Sequence, residues 1–231
     1  MISNKTQIAC AACGLAFAIQ FTVGWWFIAG FVPPHAPLMT AAEVADAYSQ
    51  HTGTIRFGIL LAMVSTALTL PFIAVIAVQM RRIENAFPIL TFTELVAGAV
   101  TAMILLMPTV LWTAAAFRPD RNPEIILALN DLAWLFLLMT FAPFFIQLVS
   151  IGLAVLCDKR EQPLFARWVG YFNIWAAILF MPGALITFFK TGPFAWNGLL
   201  AFWMPLTVFL GWYVVMFFAL LKAIQTPAAE N

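Results

Sequence analysis

The sequence predicts an all-α integral membrane protein, a single bundle of six transmembrane helices. Three observations carry that expectation. Of 231 residues, 64% are hydrophobic and 9% charged, whereas soluble domains carry about 25% charged residues. Mean hydropathy is +0.96, more apolar surface than a chain of this size can hide from water, so its solvent is lipid. Six stretches reach the roughly 20 apolar residues that a span requires: about 7–32, 56–80, 88–117, 124–157, 168–190 and 197–223, within one domain covering residues 1–231.

The first span follows one lysine, Lys5, and is too long for the apolar region of a signal peptide, which runs about 7–15 residues, so it reads as a retained helix. Its "CAAC", Cys10 to Cys13, has a spacing that elsewhere performs disulfide exchange. The preferred reading is small residues at a close helix contact. Trp25 and Trp26 fall near its end. With Trp112, Trp196 and Trp168 they read as an interfacial aromatic belt, while Trp134, Trp175, Trp203 and Trp212 lie deeper.

The linker 33–55 is the only one with room for structure. Thr40 and Glu43 form a capping box. Ala41, Val44, Ala45 and Tyr48 then recur on one helical face, and Gly53 can end the helix. A short amphipathic helix over 41–50, lying on the outer surface, is the expectation. It is either a lid over a pocket or a connector resting on the bundle. His35 and His51 share this linker with Glu43 and Asp46, a weak constellation for a metal; no metal site is assigned.

Span four, 124–157, is over-long and is expected to tilt or to extend beyond the membrane. Five spans carry an internal proline: Pro71, Pro108, Pro143, Pro182 and Pro205. Each removes a backbone donor and can bend its helix. Five bends either open a cavity or merely shape a compact bundle.

Orientation follows from cations. With the N-terminus inside, seven lie at cytoplasmic ends (Lys5, Arg81, Arg82, Lys159, Arg160, Arg167, Lys222) and four outside (Arg56, Arg118, Arg121, Lys190). This favours both termini in the cytoplasm, with a bacterial inner membrane as the expected location.

Several chemistries lack their residues. No histidine lies in any span, so a bis-histidine haem or a di-iron box has no ligands. Mid-membrane lysine for a retinal Schiff base is absent. Neither a Ser-His-Asp set nor a phosphate-binding glycine loop is evident, so no catalytic residues are assigned, and the net charge of +1 gives no sign of nucleic-acid binding. No cofactor is expected beyond a bound lipid or another hydrophobic ligand. The partners are the bilayer itself and, in a larger assembly, other membrane subunits or copies of the chain.

Two intramembrane acids remain, and a charge at the bilayer centre costs at least about 2.5 kcal/mol. Asp131 is placed inward, in an outer polar cluster with Arg56 and Lys190 that Asn130 and Asn197 extend. That cluster either binds a polar head or locks helices together. Glu94 lies toward the inner side, with Gln147 and Gln20 nearer mid-membrane and Thr101 between the acids. A relay Asp131–Thr101–Gln147–Glu94 meets an unfavourable phase, since 16 residues separate Asp131 from Gln147, about 160° around an ideal helix. The leading function is a membrane protein without redox chemistry, binding a lipid-like ligand or serving as an accessory subunit. A proton-coupled transporter using Asp131 and Glu94, and an enzyme acting on a lipid-like substrate at the outer cluster, are the alternatives.

Overall fold

The protein is seen here in a computed structural model that describes residues 3–84 and 87–227. Those residues are helical, without strands, and six helical spans are long and apolar enough to cross a membrane. The chain is a multi-pass membrane protein. Exposed residues such as Phe27, Phe57, Phe92 and Phe218 are large and apolar, as a lipid-facing surface requires.

Span one runs Asn4–Ile28. Its α-helical part, α1 (Asn4–Thr22), is capped by the Ser3 hydroxyl, which accepts from the Thr6 N–H. It widens into a π-helical turn over Val23–Ile28. Gly30, at φ 72°, then turns the chain out of the helix, a left-handed conformation that glycine adopts without strain. Helix α2 (Ala41–Gln50) has the predicted bounds and capping box. Hydrogen bonds from the Thr40 backbone and hydroxyl hold the Glu43 carboxyl below its ordinary range. Val44 and Tyr48 are buried, against α6.

Span two comprises α3 (Thr52–Ser65), a tight 3-10 turn at Thr66–Leu68 and α4 (Thr69–Arg81). The turn lies just before Pro71, whose ring crowds the carbonyl four residues back. Hydroxyls of Ser65, Thr66 and Thr69 donate to the carbonyls of Ala62, Met63 and Thr66, as polar side chains do in an apolar helix.

Helix α5 (Ile89–Phe117) crosses unbroken, with Pro108 inside it. Both its ends are charge-capped. The Glu84 carboxylate accepts from the Leu90 and Thr91 N–H groups and the Thr91 hydroxyl. At the other end Arg56 donates to the carbonyls of Ala116 and Phe117 at 2.7–3.1 Å. An anion at the N-terminus and a cation at the C-terminus complement the helix dipole.

Over-long span four is broken within its length. Helix α6 (Pro123–Met139) stops, and α7 (Ala142–Cys157) restarts after Thr140 and Phe141. Pro143 has no N–H for the Met139 carbonyl, and beside the break the Thr140 hydroxyl donates to the Phe136 carbonyl. Span five, α8 (Arg167–Phe180), tightens into 3-10 geometry over Met181–Thr187, which contains Pro182. Span six begins π-helical at Leu199–Trp203 and becomes α9 (Met204–Gln225), with Pro205 in its first turn. These irregular segments are neighbours, since Met181–Thr187 packs on both α6 and Leu199–Trp203. Gly183 permits the approach: a Cβ there would sit 2.5 Å from the Leu138 carbonyl oxygen.

Polar ties hold the end where both termini lie. Gln79 donates to Gln7, and Arg82 donates to Gln79 and to the carbonyls of Ala223, Thr226 and Pro227 beyond the last turn of α9. In the next linker at this end, burial opposes the charge on Asp158. The Arg160 guanidinium and the N–H groups of Leu164 and Arg160 outweigh it, keeping that carboxyl below its ordinary range. Deeper in the bundle, the fully buried Asn173 accepts from the Trp212 indole at 2.9 Å and donates to the Val169 carbonyl at 2.8 Å.

Candidate functional site

The predicted outer cluster assembles only in part. Asn130 is buried and accepts from the Tyr48 phenol at 3.1 Å. Burial, aided by the charge of Asp131, pushes that phenol well above its ordinary range, so it remains the donor. Asp131 is half-buried, and its carboxylate meets the Asn130 amide at 3.5 Å, a weak contact. Lys190 is exposed but lies within electrostatic reach of Asp131. No ion pair within 4 Å joins them among the described residues. Arg56 is not part of the cluster, because its guanidinium grips the end of α5. Asn197 is half-buried and makes no hydrogen bond to Asp131.

Tyr48 thus pins α2 to α6. Tyr48→Phe, which leaves the buried Asn130 oxygen without this donor, is expected to lower stability by about 1–2 kcal/mol. Thermal unfolding in mild detergent checks this, and an unchanged midpoint would show the bond to be immaterial.

Toward the other end, Glu94 is fully buried and accepts from the Gln147 amide at 3.1 Å. Gly98 makes that approach possible, since a Cβ there would lie 2.7 Å from the Gln147 nitrogen. The relay between the acids stops at this pair. The Thr101 hydroxyl donates to Ala97 of its own helix, and Gln20 donates to the Leu61 carbonyl. In the first linker, Glu43 is committed to its cap and Asp46 accepts from Gln50 at 2.6 Å. His35 packs against Phe31, and burial pushes its imidazole below the ordinary range; His51 is exposed. Cys10 and Cys13 are free thiols.

The largest departure from expectation is aromatic. Trp25 and Trp112, placed by depth in the interfacial belt, turn into the bundle and are 3% and 0% exposed. With Trp134 they make a packed triad whose ring centroids lie 5.1–6.0 Å apart. Phe31 packs on Trp112 at 4.7 Å, and Phe202 contacts both Trp25 and Trp134. Trp196, also placed in the belt, is buried and donates to the His35 carbonyl.

Beside the triad lies a narrow, partly open cleft of about 90 Å³, walled by Trp25, Phe141, Phe144, Phe180, Phe202 and Phe209. The breaks build it: Thr140 and Phe141 from span four, Gly183 from span five, Ala201 and Pro205 from span six. Ile104 and Leu105 of the unbroken α5 close the opposite wall. Its lining is almost wholly apolar, as the walls of ligand sites mostly are. Sequence reasoning named none of these walls as a site. The available signal was the set of prolines, three of which (Pro143, Pro182, Pro205) sit where the spans give way.

No protein-family model, curated protein or solved structure matches the chain.

Proposed function

We propose that this multi-pass membrane protein holds an apolar, lipid-like molecule in the cleft where spans four, five and six are interrupted. The observation that supports this most is the cleft itself. Unbroken helices would pack it shut, and its phenylalanine-rich wall offers an apolar body a matching surface. The two alternatives have less support. A proton relay from Asp131 through Thr101 and Gln147 to Glu94 draws less support, because the Thr101 hydroxyl proton is given to Ala97 of its own helix. An enzyme centred on Asp131 lacks Arg56, which is engaged by α5.

The test is photolabelling of the purified protein in lipid nanodiscs with an aliphatic diazirine. Saturable labelling of peptides containing Phe141, Phe180 or Leu206 is expected. Leu206→Trp, which fills the cleft from α9, should weaken it about tenfold, the effect of a clash near 1.4 kcal/mol. Labelling that rises linearly with probe and is confined to lipid-facing residues such as Phe92 and Phe218 would refute the proposal.

A further inference from the structure

We infer that the molecule held in the cleft carries a carbonyl-type hydrogen-bond acceptor on its apolar body, and that the indole N–H of Trp25 is the donor that receives it. This rests on the cleft being a ligand site. Among the described residues, five buried side-chain polar atoms have no hydrogen-bond partner: the indole nitrogens of Trp25, Trp112 and Trp134, His35 Nδ1 and Glu94 Oε2. Three of the four nitrogens belong to rings that surround Phe31, and the fourth ring, Trp25, packs on Trp112 and Trp134. Phe31 lies 4.7 Å from Trp112, 6.1 Å from Trp134 and 6.2 Å from His35. Unpaired buried donors are rare because each forfeits its bonds to water. Here three of them share one aromatic triad, and one, Trp25, lines the cleft.

Elsewhere the same bundle satisfies its buried indoles. Trp212 donates to Asn173, and Trp196 to the His35 carbonyl. The triad is given no such acceptor. Of its members, Trp25 is also a wall of the cleft. The two threonines on the wall have committed their hydroxyl protons to Ala97 and Phe136 of their own helices. The unpaired donor on this wall is therefore the Trp25 N–H, which can give a hydrogen bond and cannot accept one. A carbonyl is its complement, since it accepts and has no proton to bury unpaired. That oxygen could belong to a free ketone or quinone, or to the ester of a bilayer lipid.

A matched pair of probes decides the matter: a long-chain ketone and the alkane of equal length, both bearing the same diazirine. They are titrated on the protein in nanodiscs of ether-linked phospholipid, which lacks ester carbonyls. Saturable labelling of the cleft is expected at about tenfold lower concentration for the ketone, the effect of one buried hydrogen bond. Replacing Trp25 by 3-benzothienylalanine keeps the ring and removes the N–H. The preference should then vanish while alkane labelling is unchanged. Repeating the titration in ester-linked lipid separates the sources. A persisting ketone advantage supports a free carbonyl compound, and its loss by competition supports the lipid ester. Equal labelling by ketone and alkane in the unmodified protein, or a preference that survives the isostere, overturns the inference and leaves the cleft a purely apolar site. Failure of both probes to label the cleft saturably overturns the proposed function instead.

Discussion

Gly58→Val is expected to cost about 3 kcal/mol or more and to leave little folded protein. Spans one and two meet backbone to backbone. A Cβ at Gly58 would lie 2.4 Å from the Gly24 carbonyl oxygen and 2.6 Å from the Ala29 nitrogen. A Cβ at Gly24 would meet the Gly58 oxygen at 2.5 Å and the Ala62 nitrogen at 2.9 Å. Main chain has no rotamer with which to give way, so the two helices would have to separate, beyond the usual penalty of overpacking. In lipid, where apolar surface gains nothing by leaving its solvent, such close approach is a principal source of helix association. Size-exclusion chromatography after a heating series measures the effect. Gly211→Ala is the matched control, since nothing lies within 4 Å of a Cβ there; in mid-helix it should be neutral or stabilising by up to about 1 kcal/mol. A Gly58→Val protein that melts with the unmodified one would remove this contact from the account.

The second large effect is expected at Asn173. Asn173→Leu keeps the branched shape of the side chain but strands the Trp212 N–H in the core and removes the amide's bond to the Val169 carbonyl. A loss of about 2–3 kcal/mol is expected, more than a mean hydrogen bond, because a buried donor is left unsatisfied. Trp212→Phe removes that donor. Combined with Asn173→Leu it should lose less than the sum of the single changes, and the difference measures the pair. Additive losses would mean that packing, not the hydrogen bond, makes Asn173 matter.

Depth along the chain was legible in the sequence; direction around each helix was not. The six spans follow from apolar length, and α2 follows from Thr40, Glu43 and the spacing of Val44 and Tyr48. Arg56 and Asp131 share a level, which suggested a pair, yet Arg56 turns to the free carbonyls closing α5. Trp25 and Trp112 were placed in the belt by depth, and both turn inward. The prolines pose the same problem. Pro108 and Pro143 look alike, each in the middle of an apolar run, but α5 absorbs the first while span four breaks at the second. A missing N–H is visible in sequence, whereas which neighbour accommodates the freed carbonyl depends on packing. The cleft is made of such outcomes, which is why its walls went unread.

Arg82 has a consequence for biogenesis. Its acceptors at Ala223, Thr226 and Pro227 are translated some 140 residues after it, and α1 likewise packs on α9, the last helix of the bundle. The first two spans therefore enter the membrane with one flank unfinished. Until α9 arrives, Phe17 and Phe72, which later contact Tyr213, must be sheltered by lipid or by the insertion machinery. Assembly of this bundle is completed from its last helix back to its first, and Arg82 is the clasp that waits for it.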